Sequence, residues 1–148
     1  MLFFEDFAEG QSVELGSYRL ELEDAIAFAR QYDPQPFHVD PEAAKGTPFG
    51  GIIASGWHTL AINSRLGVIG MMSGVAGLGA PGIEEVRWPK PVRPPATLQG
   101  RASVLGVKAS ERNPSRGTVR FLCELLDDDG DVVLQATIPM FIARRPAS

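Results

Sequence analysis

Residues 51–72 read GIIASGWHTLAINSRLGVIGMM, a stretch of about twenty mostly small and apolar side chains, and its reading decides the fold. Ile53, Trp57, Leu60, Ser64 and Gly67 trace one helical stripe, while Ile52, Ile62, Leu66 and Ile69 make the other sides apolar too. A helix that is apolar nearly all round is buried on most faces. His58, Asn63, Ser64 and Arg65 interrupt the run. A membrane span wants about 18 or more apolar residues with few or no charges, so a buried helix inside a folded domain fits better.

Downstream of this helix the pattern turns extended. Candidate strands cover 82–88, 97–108, 117–127 and 132–143. The last two are joined by Asp127-Asp128-Asp129-Gly130-Asp131, and Asp-Gly is a strong hairpin signal. Val119, Phe121, Cys123 and Leu125 recur at every second position, giving that strand one clearly apolar face. Upstream, Val13, Leu15, Tyr18, Leu20 and Leu22 alternate imperfectly about Gly16-Ser17, which reads as an edge or bulged strand. Leu22, Ile26 and Ala29 then recur at helical spacing through Tyr32. Glu23 and Asp24 begin that helix and Arg30 ends it, matching its dipole. Pro34 disfavours helical backbone at Asp33 and stops it there. Residues 33–49 form mostly loop, braced by Pro34, Pro36, Pro41 and Pro48. Within that loop Asp40 caps a short turn that starts at Pro41 and ends at Gly46. A long apolar helix beside consecutive antiparallel strands predicts an α+β architecture, the sheet wrapped around the helix, as a single domain over 1–148.

Composition narrows the function classes. The chain has 148 residues and a formal charge of −4, which speaks against a nucleic-acid module with its basic stripe. The 16 glycines and 12 prolines exceed the roughly 12% of average usage but fall short of a low-complexity chain. One cysteine and two histidines exclude a disulfide scaffold and a Cys/His zinc cluster, and no metal site is expected. Met1 to Gly10 holds three acidic residues and no basic segment of the secretory type, so a cytoplasmic address without membrane attachment is the expectation.

Chemistry concentrates in Tyr32-Asp33-Pro34-Gln35-Pro36-Phe37-His38-Val39-Asp40. A carboxylate and an imidazole sit five residues apart in a stiff loop, and converging on one water they can act as general base and general acid near neutral pH. The same residues also fit a plain arrangement, with Asp33 making an Asx-type turn and His38 a satisfied loop histidine. The second feature is Gly50, Gly51, Ser55 and Gly56 at the entrance to the long helix. Glycine admits a reacting carbonyl close to backbone N–H groups, and a helix N-terminus adds positive potential. Together they can form an oxyanion hole, or simply let a strand pack closely.

Asp33-Pro34-Gln35-Pro36-Phe37-His38, then Asp40-Pro41, then Ser55-Gly56, resembles the MaoC-like acyl dehydratases and (R)-specific enoyl-CoA hydratases. Val86-Arg87-Trp88 followed by Pro91-Val92-Arg93-Pro94 is similar to the strand after the central helix in that family, so the likeness runs from about Glu5 to Ala143. The resemblance implies a hot-dog fold, usually dimeric, without a cofactor apart from coenzyme A as part of the substrate. It implies syn hydration of a 2-enoyl thioester, or dehydration of a 3-hydroxyacyl thioester, carried by coenzyme A or a carrier protein. Asp33 and His38 then match the pair acting on water, and the Gly56 N–H matches the donor to the thioester carbonyl.

The chain departs from the family pattern at three places. Gln35 stands where many relatives have Asn, Ala61 where some have a Ser supporting the pair, and Pro94-Pro95-Ala96 replaces a Gly-Asp turn. Ser55 or Thr59 would stand in for the missing serine. Two other readings share these residues: a hot-dog acyl-CoA thioesterase, and a non-catalytic acyl-thioester-binding subunit. Among the remaining polar groups, His58 reads as a buried, hydrogen-bonded histidine or a tunnel wall. Cys123, Trp57, Met71 and Met72 read as packing. Arg65, Arg87, Lys90 and Arg93 read as solvated surface or as contacts to coenzyme A phosphates.

Overall fold

The structure, a computed structural model, describes residues 1–147. Its five strands form one antiparallel sheet in the order β1-β3-β4-β5-β2. They span Ser12–Leu20 (β1), Glu85–Arg87 (β2), Ala96–Ala109 (β3), Arg116–Leu126 (β4) and Val132–Ala143 (β5). Helix α1 covers Leu22–Tyr32, α2 Pro36–Val39, α3 Pro41–Lys45 and α4 Gly56–Gly70. The concave face of the sheet holds α4, the hot-dog arrangement expected from the resemblance.

The alternation read from the sequence sets which side chains meet the helix. Leu98, Ala102 and Val104 of β3 face inward with Val119, Phe121 and Leu125 of β4, and all six are buried. Ile62 and Leu66 of α4 pack onto them together with Leu15 and Leu20. Fully burying a side chain of this size is worth about 1.5–3 kcal/mol, so this layer is the main source of cohesion. The β1–β3 register slips between Glu14 and Gly16, and Gly16 adopts φ +92° there, which a side chain would oppose. β1 is therefore the bulged edge strand that the Gly16-Ser17 break suggested. The Asp40 cap is present as well: its Oδ1 accepts the N–H groups of Glu42 at 2.9 Å and Ala43 at 3.2 Å.

Three expectations need correction. The helix begins at Gly56, not near Gly51, because residues 52–55 are non-helical and buried. The Ile53 N–H donates to the Phe37 carbonyl and that of Ala54 to the Val92 carbonyl, so this segment is held between α2 and the connection from β2 to β3. Within α4 the buried positions are His58, Thr59, Ile62, Asn63 and Leu66, whereas Trp57, Val68 and Ile69 are exposed. A single five-stranded sheet covers one side of a helix only, so of the Trp57 stripe Ile53 and Leu60 pack inward while Trp57 and Ser64 lie outward. Finally, β2 spans three residues where seven were expected: only Glu85, Val86 and Arg87 pair with β5, with the Glu84 N–H adding one bond to the Thr137 carbonyl ahead of them.

Candidate active site

Helix α1 ends where Pro34 requires. The Asp33 N–H closes the last turn on the Ala29 carbonyl at 2.8 Å, and the side chain of Asp33 leaves the helix at its C-terminal end. Residues 36–39, expected as loop, instead form the single helical turn α2, with Pro36 at its first position. That turn swings His38 back, so five residues of sequence collapse to 3.3 Å between His38 Nε2 and Asp33 Oδ2.

Each member of the pair is held by the extended segment ahead of α4. His38 is buried, 5% exposed, and its Nδ1 lies 2.6 Å from the Ile53 carbonyl oxygen. A carbonyl can only accept, so Nδ1 carries the hydrogen there, and Nε2 is the ring nitrogen turned toward Asp33. The Ser55 hydroxyl donates to Asp33 Oδ2 at 2.7 Å, and the Gln35 amide donates to Oδ1 at 2.8 Å. Partial burial is the largest single influence on Asp33 and pushes its carboxyl up. The bonds from Ser55 and Gln35, with the nearby imidazole, together outweigh it and hold the group below the ordinary carboxylate value.

Asp33 and His38 share one cleft of about 360 Å³ with Gln35, Gly56, Thr59 and Trp88. Gly56 opens α4, and among the described residues its N–H has no hydrogen-bond partner. The residue must be glycine for a packing reason: a Cβ there would lie 2.6 Å from the Trp88 ring. Ser55 stands behind the pair and caps α4 by accepting the Trp57 N–H at 3.3 Å, so one hydroxyl serves both helix and carboxylate. Ala61 lies on the exposed face of α4, so the supporting hydroxyl on Asp33 is that of Ser55 and the alanine leaves no gap there. Thr59 does not reach the pair; its hydroxyl donates to the Gly56 carbonyl at 2.8 Å.

The cations lie at the surface, as expected, but three of them are paired. Lys90, on the cleft wall, is partly exposed and held by carboxylates. Its ammonium contacts Asp127 at 2.6 Å, Asp131 at 2.8 Å and Asp129 at 3.3 Å, and those bonds hold it protonated far above the ordinary lysine value. The same three carboxylates lie close enough together to resemble a cation site, and the lysine serves as their counter-ion. Arg93 donates to the Phe49 carbonyl and Arg87 pairs with Glu85.

His58 is buried as expected, but the expected hydrogen bond is missing: Nδ1 has no partner among the described residues, and the ring stacks on Phe28 with centroids 4.3 Å apart. Cys123 is a buried thiol that burial, the largest influence, pushes up to about 11, in keeping with a packing role. The residue missed as part of the site is Trp88. Its position at a strand end beside Pro89 was legible, and an indole N–H in such a place needs a partner, but the sequence does not say which.

With this geometry in view, the likeness to known proteins is specific. The MaoC like domain family is matched over residues 6–123. The chain is 33% identical over 122 residues to the uncharacterized protein YdeM of Bacillus subtilis, covering 82% of this chain and 83% of that one. It is 31% identical over 112 residues to 3-hydroxyacyl-thioester dehydratase Z of Mycobacterium tuberculosis, covering 75% and 74%. The crystal structure of a MaoC-like dehydratase from Rhodospirillum rubrum superposes with a TM-score of 0.89 at 40% identity, covering 99% of this chain and all of that one. The chain belongs to the MaoC-like domain family.

Proposed function

We propose that this protein is a hydratase/dehydratase interconverting 2-enoyl and 3-hydroxyacyl thioesters. The observation that carries the reading is the 3.3 Å approach of His38 Nε2 to Asp33 Oδ2 on the wall of a cleft that Gly56, the first residue of α4, also lines. The family and the similarity to a hydroxyacyl-thioester dehydratase support the same chemistry.

In hydration, Asp33 stays ionised and accepts a hydrogen bond from the attacking water, which fixes the direction of its lone pair. The water oxygen bonds the β-carbon as His38 Nε2 takes the water proton. The electron pair of the double bond moves toward the thioester carbonyl, and the Gly56 N–H at the positive end of α4 stabilises the resulting enolate-like oxygen. His38 then gives its proton to the α-carbon from the face it already occupies. Addition is therefore syn, and dehydration is the same path reversed. Proton transfer by a positioned side chain contributes about 10²–10⁴-fold, and one oxyanion donor about 10²–10³-fold.

The thioester carrier, coenzyme A or a carrier protein, binds at the cleft mouth. The exposed Trp57, Val68 and Ile69 of α4 support pairing with a second copy in a homodimer. Loss of conjugated enoyl-thioester absorbance in the presence of the wild type, and its collapse in Asp33→Asn and His38→Ala, test the reading. Equal rates in all three proteins would remove the pair from the mechanism, and release of free thiol without hydrated product would instead indicate a thioesterase.

A further inference from the structure

Gly56 is held by more than the helix it begins. Its carbonyl oxygen accepts the Trp88 indole N–H at 3.1 Å and the Thr59 hydroxyl at 2.8 Å, and the same indole N–H lies 3.2 Å from Thr59 Oγ1. On the other side of the residue, the Ser55 carbonyl accepts the N–H groups of His58 at 3.0 Å and Thr59 at 3.2 Å. The amide that contains the Gly56 N–H is thus polarised from its oxygen end, which strengthens its hydrogen as a donor. The Trp88 ring also occupies the space where a Gly56 Cβ would stand, so the glycine cannot rotate toward it. Trp88 is anchored independently of α4: it directly follows β2, whose three residues pair with β5 from Gln135 to Thr137.

We infer that Trp88 is a positioning residue for the thioester-carbonyl site: its indole N–H, with the Thr59 hydroxyl, holds the Gly56–Trp57 peptide plane, and with the Ser55–Gly56 plane held by the His58 and Thr59 N–H groups this fixes the Gly56 backbone and so the direction in which the Gly56 N–H points. This rests on the hydratase reading above and deepens it. A helix N-terminus is ordinarily free to fray, since its first N–H groups lack intrahelical partners. An oxyanion donor is useful only if it is already aimed before charge develops. Here the sheet edge supplies the rigidity, linking the first residue of α4 to β5 through one indole. The arrangement also assigns Thr59 a role apart from the Asp33/His38 pair, as the second donor to the same carbonyl.

Trp88→Phe keeps an aromatic side chain but removes the N–H together with the part of the indole that lies against Gly56, so Thr59→Val, which leaves that ring in place, is read beside it. The expected result is a fall in kcat of about tenfold with KM within about twofold, and an unchanged thermal midpoint. A purely structural role would not affect the electronic state of a bound ligand, so the decisive readout is spectroscopic. A dimethylaminocinnamoyl thioester of coenzyme A absorbs further to the red when its carbonyl is polarised. Trp88→Phe should bind it with most of that shift lost. Thr59→Val should behave alike, Thr59→Ser should restore both kcat and shift, and the Trp88→Phe/Thr59→Val double variant should lose little beyond either single one, because both donors serve one carbonyl.

Wild-type kcat and wild-type red shift in folded Trp88→Phe would overturn the inference. If that variant does not fold, Thr59→Val decides in the same way. Should the wild type itself not hydrate enoyl thioesters, the hydratase reading falls. The red shift would still report whether Trp88 aims the Gly56 N–H at a bound thioester.

Discussion

The Ser55 hydroxyl lies 2.7 Å from Asp33 Oδ2, joining residues 22 apart in sequence, and the same oxygen accepts the Trp57 N–H at the start of α4. Helix α4, which begins at Gly56, and the Asp33 carboxylate are therefore tied by one side chain that is fully buried.

Ser55→Ala should accordingly do two separable things. Loss of the cap should lower stability by about 1 kcal/mol. Loss of the donor to Asp33 removes one of the bonds that outweigh burial, so the Asp33 carboxyl should rise toward or above its ordinary value. A hydrogen bond to a charged group is worth about 1.5–3 kcal/mol, so kcat/KM should fall roughly ten- to a hundredfold, with the acid limb of its pH profile moved upward. Denaturant titration and a pH–rate profile check the two parts.

Gly56→Ala places a methyl 2.6 Å from the Trp88 ring, so either the indole or the helix start must move. On the proposed mechanism, hydration should drop by about a hundredfold or more, since the Gly56 N–H is turned away, while binding of a saturated acyl thioester should change far less. Steady-state kinetics beside calorimetric titration would show the split.

His58 gives the fold an acid sensitivity. Burial, the largest influence, lowers its pKa below 6.5, and Asp24 on the neighbouring helix only partly offsets this. The unfolded chain therefore binds a proton on His58 at a pH where the folded chain does not. Its contribution to stability is fully present above about pH 6.5 and is lost as the pH falls through the lower folded value. The urea midpoint of the wild type should decline from about pH 7.5 to about pH 5, and His58→Phe, which keeps a ring stacked on Phe28, should decline less.

Lys90→Ala leaves Asp127, Asp129 and Asp131 facing one another without a counter-ion. The thermal midpoint should fall at neutral pH and low salt. Raising the ionic strength to about 1 M should recover most of the loss, because the Debye length there is about 3 Å. An equal deficit at all salt concentrations would show that the lysine acts by packing instead.

The order of elements was legible because each boundary has a local cause. Pro34 ends α1, Asp40 and Pro41 start α3, and Asp-Gly joins β4 to β5. The chemical pair was legible in kind, since Asp33 and His38 carry suitable groups, but not in geometry. Their meeting depends on α2, a four-residue turn too short for any periodicity, and on the Ile53 carbonyl that receives His38 Nδ1 from another segment. Hydropathy alone misjudged α4, because Trp57, Val68 and Ile69 are apolar yet exposed while Asn63 and His58 are buried. Ser55 and Thr59 were both legible as stand-ins for the serine missing at position 61, but the sequence could not choose between them, because the Asp33 hydrogen bond is assigned in space. Trp88 showed itself only when β2 brought it against Gly56.

Hydration of crotonyl-CoA in D2O by the wild type, Asp33→Asn and His38→Ala tests the central claim most directly. The product of the wild type should carry one deuterium at the α-carbon, on the same face as the new hydroxyl. Both variants should retain less than about 1% of the rate. Anti addition, or undiminished turnover in either variant, would contradict the account.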